Sequence, residues 1–317
     1  MLSRVANSIY WLNRYIERAE NIARFVDVNL NLLLDSAVVD AQQWEPLVLT
    51  TGDLEIFRSR YGVATAENVV RFLTYDEKYH NSILSCLLSA RENARSIREV
   101  ISSEMWEQVN SFYFMVKEAA QADPQPELPS FFEAVKMASH QFAGVMAATM
   151  SHNEAWHFGR MGRSIERADK TTRILDVKYF IVLPGGVGSP LDELQWIALL
   201  RSVSAYEMYR KTCHRISPTD IAKFLIFDRE FPRSIQHCLR STEKSLHLIS
   251  GNNGLNTWCN PAELKLGKLR SELDFLSIEE VIDYGLHEFL DQTQRRINIV
   301  SKEIGDTFMT INLEAVS

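Results

Sequence analysis

Residues 14–28, RYIERAENIARFVDV, return at 163–177 as RSIERADKTTRILDV, with eight of the fifteen positions identical. Unrelated segments of that length share roughly one, so the match marks an internal repeat. Two further matches support it. Phe72-Leu73-Thr74-Tyr75-Asp76 aligns with Phe224-Leu225-Ile226-Phe227-Asp228, followed by Ser82-Ile83 with Ser234-Ile235 and Cys86-Leu87 with Cys238-Leu239. Ser130-x-x-Glu133 aligns with Ser277-x-x-Glu280, and His140-x-Phe142 with His287-x-Phe289. The offsets of 149, 152 and 147 differ only by loop-sized insertions. We therefore expect a tandem duplication, 1–150 and 151–317, whose two multi-helix units pack about a pseudo-twofold axis as one compact body.

Each unit reads as helical, making the expected fold class all-α. Thirteen Gly and nine Pro in 317 residues leave few turn formers, which argues against a many-stranded sandwich or barrel. At 100° per residue, Leu12, Tyr15, Ile16, Ala19, Ile22, Ala23 and Val26 fall on one face of the first segment. Ser130-x-x-Glu133 and Ser277-x-x-Glu280 have the spacing of capping boxes. Ser217-Pro218-Thr219-Asp220 is a further helix start, and Asp76 and Asp228 are equivalent N-cap candidates. Pro184-Gly185-Gly186-Val187-Gly188-Ser189-Pro190 lacks phosphate-loop spacing and contains no Lys, so it reads as a flexible connection.

The charge balance of −7 disfavours non-specific binding to nucleic acid or to an anionic membrane. No stretch approaches the length and apolarity of a spanning helix, and the first twenty residues lack the apolar core of a secretory signal. Four cysteines without a CxxC pair give no support to a zinc site, so reduced thiols and a cytoplasmic setting are the expectation.

Chemistry concentrates in the repeated segment. Glu17, Glu20, Arg24 and Asp27 form one stripe, with Arg14, Arg18 and Asn21 beside it; the second copy keeps Glu166, Asp169, Arg173 and Asp176, with Arg163 and Arg167 alongside. Opposite charges at these spacings support an exposed helix by a few tenths of a kcal/mol per pair. Phe25 and Val28, and in the second copy Ile174 and Val177, lie on the same side as the charges. A helix apolar on both sides is expected to be enclosed by neighbours, so its charges would meet in an interior or a cleft, where guanidinium and carboxylate pair bidentately. Three roles stay open: a structural network between the copies, a binding cleft for a charged peptide or nucleotide-like ligand, and acid–base catalysis by Glu17 and Glu166. In the first role, Arg18→Ala would leave a carboxylate such as Glu17 unpaired.

The paired IERAE and IERAD motifs, with the stretch from Ala90-Arg91-Glu92-Asn93-Ala94-Arg95 to Ser102-Ser103-Glu104-Met105-Trp106-Glu107, resemble the alpha-E family, an all-helical bacterial family named for its glutamate-arginine motif. The resemblance covers essentially the whole chain. It implies an accessory or binding role in a peptide-synthesis or peptide-modification system. The partners it implies are a circularly permuted ATP-grasp ligase, a transglutaminase-like protein and an N-terminal-nucleophile peptidase. The motif falls on Glu17-Arg18 and Glu166-Arg167. Arg91-Glu92-Asn93 has no counterpart in copy two, where Glu243-Lys244-Ser245 stands, which suggests that one half is specialised. No cofactor is expected.

Other signals have plainer readings. Glu77-x-x-His80 and Glu154-x-x-His157 have the spacing of a di-iron motif, but the repeat replaces Glu77 and His80 by Arg229 and Pro232, so no metal site is expected. His140 and His287 lie beside aromatics and read as core histidines with backbone partners. Cys86 and Cys238 read as small core residues, and Trp44, Trp196 and Trp106 as core anchors.

Overall fold

The computed structural model describes residues 1–34, 44–124, 126–182, 190–252 and 258–310. The Gly-containing connection read at 184–190 falls almost entirely outside them. Among the described residues there are fifteen helices and no strand. The first half runs α1 (Ser3–Leu34), α2 (Glu45–Thr51), α3 (Leu54–Tyr61), α4 (Ala66–Thr74), α5 (Ile83–Ser96), α6 (Ser103–Gln121) and α7 (Leu128–Thr149). The second runs α8 (Glu154–Val182), α9 (Pro190–Ser202), α10 (Tyr206–Thr212), α11 (Pro218–Phe227), α12 (Ile235–Ser250), α13 (Pro261–Phe275), α14 (Ile278–Tyr284) and α15 (Leu286–Phe308).

The two motif helices, α1 and α8, pack along each other at the centre. α5 and α7 flank α1, while α12 and α15 flank α8, and α6 and α13 close the outer layer against those flanking helices. Two short helices cross between the halves: α2 packs on α8 and α9 packs on α1. Leu12, Ile16, Ala19, Ala23 and Val26 line the apolar face of α1 and are buried. Its other face is buried too, because Asn13, Arg14, Glu17, Glu20, Asn21 and Arg24 are all enclosed. The enclosure inferred from apolar residues on both sides is therefore what α1 adopts. Phe25 is half-buried against the core, and the side chain of Val177 lies outside the described residues.

Close approach of α1 and α8 depends on small residues. A Cβ on Gly162 would lie 2.2 Å from the Tyr10 carbonyl oxygen, a backbone atom that cannot swing aside. Trp44 and Trp196 are buried as expected, and Trp106 is partly buried. Cys86 and Cys238 are sealed in the core, where burial pushes both thiols up to about 12.

The helix starts are only partly those read from the sequence. Ser277 and Glu280 form the expected reciprocal capping box, and Ser217 caps α11. Ser130 does not cap: α7 begins two residues earlier with Pro129 in its first turn, and the Ser130 hydroxyl donates back to the Glu127 carbonyl at 2.8 Å. Asp76 and Asp228 do not begin helices either. Each carboxylate accepts from the backbone two residues on, Lys78 N–H at 2.8 Å and Glu230 N–H at 2.9 Å, closing a separate turn. The helices then start at Ser82 and Ser234, whose hydroxyls accept from Ser85 N–H and His237 N–H. Pro232 sits in the turn, where it breaks no helical hydrogen bond.

Candidate functional site

The centre of the α1–α8 contact is an exchange of ion pairs. Arg18 on α1 donates through Nε and Nη2 to both oxygens of Glu166 on α8, at 2.7 and 3.0 Å. Arg167 on α8 donates in the same way to both oxygens of Glu17 on α1, at 2.9 and 2.7 Å. Each glutamate thus takes the arginine next to its counterpart in the other helix, the planar fork of guanidinium meeting carboxylate edge on. The carboxylate that Arg18→Ala would leave unpaired is therefore Glu166 and not Glu17, because Arg18 points away from its own helix.

Further donors saturate each centre. Arg14 adds a bond from Nε to Glu166 at 2.9 Å, and its Nη1 donates to Ser301 on α15. Arg233, in the turn before α12, donates to Glu17 at 2.9 Å, to Asn21 at 3.1 Å, and to Glu20. Glu20 also accepts from Arg24 and from the hydroxyl of Ser139 on α7. On α8, Asp169 is not saturated: its Oδ2 accepts from Arg173 at 2.9 Å and Lys170 at 3.2 Å, while its buried Oδ1 has no hydrogen-bond partner among the described residues.

Glu17 and Glu20 are 1% exposed, and Glu166 has no exposed surface. Burial opposes their ionisation, but the surrounding guanidiniums outweigh it: Arg18 and Arg14 hold Glu166 well below the usual carboxylate range, and Arg233 and Arg24 do the same for Glu20. Arg167 and Arg233 likewise keep Glu17 below its ordinary value. Such groups stay ionised near neutrality, have no proton to give, and present no unoccupied oxygen to a substrate.

The remaining residues singled out in the sequence divide clearly. Arg24 and Arg173 belong to the network. Asp27 and Asp176 sit at its far ends, Asp27 paired with Lys136 at 2.9 Å and Asp176 with His287 at 2.7 Å. Arg163 lies beside Arg167 yet joins no pair among the described residues. Arg91, Glu92 and Asn93 are elsewhere, on the α5–α6 face. There Arg91 donates to Asn110 at 2.7 Å and lies 5.4 to 5.6 Å from the ring centroids of Trp106, Tyr113 and Phe114, while Asn93 donates to the Ser89 carbonyl.

His140 and His287 are not core histidines. Both side chains are about half exposed, 52% and 43%, and pair with Glu20 and Asp176 respectively. Their aromatic neighbours lie on the buried side of each helix, whereas the imidazoles face the network's edge. Arg233, Ser139 and Asn81, whose Oδ1 accepts from Arg18 Nη1 at 2.6 Å, escaped the sequence reading. Asn81 and Arg233 occupy matched places before Ser82 and Ser234, and that difference between the two matched segments was the available signal.

Residues 1–309 match the family description Alpha-E, a predicted alpha-helical domain with a conserved ER motif. The chain belongs to the Alpha-E family. Its Glu-Arg pairs at 17–18 and 166–167 are the two centres of the ion-pair exchange. Among curated proteins it is similar to an uncharacterized protein of Mycobacterium bovis and to uncharacterized proteins of two Mycobacterium tuberculosis strains, each 22% identical over 98% of this chain. The chain spans 37% of the length of these relatives. No solved structure matches it. No helix among the described residues is long and apolar enough to cross a membrane.

Proposed function

We propose that this Alpha-E chain is a non-catalytic binding subunit of a bacterial peptide-synthesis or peptide-modification system, working in the cytoplasm beside an ATP-grasp-type ligase and a transglutaminase-like protein. The observation that supports a binding over a catalytic role is the saturation of the motif. Both oxygens of Glu17 and of Glu166 accept from guanidiniums, out of reach of water, and the ionised state is favoured throughout. General acid–base catalysis needs a carboxyl with a pKa near the working pH and access to the reacting group, and these have neither. In this reading the motif fixes the α1–α8 crossing, and the outer surfaces do the binding. The curated relatives fit this role, since in them the matching region is part of a much longer chain. The ligase and the transglutaminase-like partner rest on the family resemblance.

Affinity purification of the tagged chain from its native cells tests the proposal. Recovery of an ATP-grasp ligase or a transglutaminase-like protein is the expected result, and repeated recovery of neither removes the partner assignment. Turnover of a peptide substrate by the isolated, metal-free chain, abolished in Glu17→Gln, would replace the binding role by catalysis.

A further inference from the structure

The central network carries a surplus of positive charge. Its four carboxylates, Glu17, Glu20, Glu166 and Asp169, are paired with seven cations: Arg14, Arg18, Arg24, Arg167, Lys170, Arg173 and Arg233. Arg163, one turn before Arg167 on α8, adds another. It is half-buried, yet among the described residues its side chain makes no ion pair and no hydrogen bond. Burial and the adjacent Arg167 lower its pKa, although the field of Glu17 acts the other way. An arginine does not shed its proton near neutrality, so a cation partly withdrawn from water without an ion pair of its own is a standing cost.

Arg160, about 4.5 Å further along the helix axis, also has no carboxylate partner among the described residues. Its Nε donates to Ser241 on α12 at 2.9 Å, and its guanidinium lies 5.5 Å from the centroid of the Trp156 ring. Ser164 reaches the same Ser241 hydroxyl at 3.3 Å, and His157 Nδ1 lies 3.2 Å from the hydroxyl of Ser245. Between these two serines on α12 stands Lys244, exposed. Burial, then Arg160, His152 and Lys244, depress the pKa of His157, as expected where cations outnumber acids.

The matched positions of the first half carry no such cluster. In the sequence match, Trp11 stands for Arg160 and Ser8 for His157, and Glu92 stands for Lys244 with its charge reversed. Arg14, the match of Arg163, has its counter-ion in Glu166.

We propose that the face shared by α8 and α12 is a binding site for an oxyanion group, a carboxylate or a phosphate. Arg163 and Arg160 present their forks to the ligand, and Lys244 closes the rim. Two guanidiniums one turn apart suit one or two oxyanions and not the long charge track of a nucleic acid, which the net charge of −7 also disfavours. The site does not depend on the ligase partnership.

Calorimetric titration of the intact chain with a glutamyl-glutamate dipeptide and, separately, with pyrophosphate tests this, both at fixed ionic strength against chloride. Saturable binding of at least one is expected; dipeptide alone identifies a carboxylate ligand, and pyrophosphate alone a phosphate. Arg163→Gln should weaken binding about ten-fold or more while leaving the melting temperature unchanged, because it breaks no existing pair. Lys244→Glu, at an exposed position, gives a second reading that does not depend on how Arg163→Gln folds. Binding of neither anion above chloride, or undiminished binding by both variants, would overturn the proposal.

Discussion

Glu166 has no exposed surface and is held by two arginines, so Arg18→Ala leaves it with Arg14 and a distant Lys170. Breaking a buried pair by removing one partner costs about 3–5 kcal/mol, and the remaining contacts place Arg18→Ala and Arg167→Ala near about 3 kcal/mol. Arg233→Ala strips a donor from Glu17 and Glu20 together and is expected to cost about 5 kcal/mol. Urea unfolding of the three variants checks the order. The crossed pairing makes a sharper statement: Glu166→Gln should partly rescue Arg18→Ala, whereas Glu17→Gln should not, and a double-mutant cycle measures the difference. The carboxylates also set the acid limit. Glu17, Glu20, Glu166 and Asp169 bind protons less readily in the folded chain than in the unfolded one. Their contribution is fully present above their unfolded values, 4.5 for Glu and 3.8 for Asp, and is lost as pH falls through the lower folded values. Melting temperature should therefore drop steeply below about pH 4.5, and the slope should flatten in Glu166→Gln. That these residues share a stripe was legible because the helical period places them. The arginine partners of Glu17 and Glu166 were not, because Arg167, Arg233, Arg18 and Arg14 each lie roughly 150 or more positions from the glutamate they hold, on an element whose orientation no local pattern encodes.

At the scale of single helices, α1 and α8 meet where glycine lets them. Ala normally suits a helix interior better than Gly by about 1 kcal/mol, so a simple propensity argument favours Gly162→Ala. The 2.2 Å approach to the Tyr10 carbonyl reverses that sign by forcing the two helices apart. Gly162→Ala is expected to destabilise by about 3 kcal/mol, at the upper end of overpacking costs. Gly159→Ala meets side chains and not backbone, Met146 at 2.5 Å, whose end can swing aside, and Asn13 at 2.6 Å, whose Nδ2 is tied to the Ile9 carbonyl, so its cost should be smaller, about 2 kcal/mol. Equal losses in the two variants, read by thermal or urea melts, would contradict this account. Helix ends show the same competition between local rule and context. Ser277 and Ser130 carry the same capping pattern, yet only Ser277 uses it, because α7 begins at Leu128, with Pro129 in its first turn, before Ser130 is reached. Ser277→Ala should cost about 1 kcal/mol and Ser130→Ala only a few tenths. Ser82 and Ser234 were visible as a matched pair but were masked by the Asp residues upstream, whose side chains satisfy a turn of their own.

For the whole molecule, the position of the charges decides how the chain can be divided. A unit that folds alone keeps its buried charges paired within itself. Here Glu17 depends on Arg167 and Arg233, and Glu166 depends on Arg14 and Arg18, so each half supplies the arginines for the other's glutamate. α2 and α9 extend the exchange by packing across onto α8 and α1. A fragment of residues 1–150 would expose the apolar surface by which α1 meets α8 and leave Glu17 without its guanidiniums; 151–317 would do the same to Glu166. Either loss is a large fraction of a normal stability margin of about 5–15 kcal/mol. Neither fragment should show a cooperative thermal transition alone, and the intact chain should melt in a single step. Mixed or co-expressed, the fragments should associate one to one and recover a cooperative melt, with Arg18→Ala in the first fragment weakening the association. A fragment that melts cooperatively by itself near the temperature of the intact chain would show that the ion-pair exchange joins two finished domains instead of completing one.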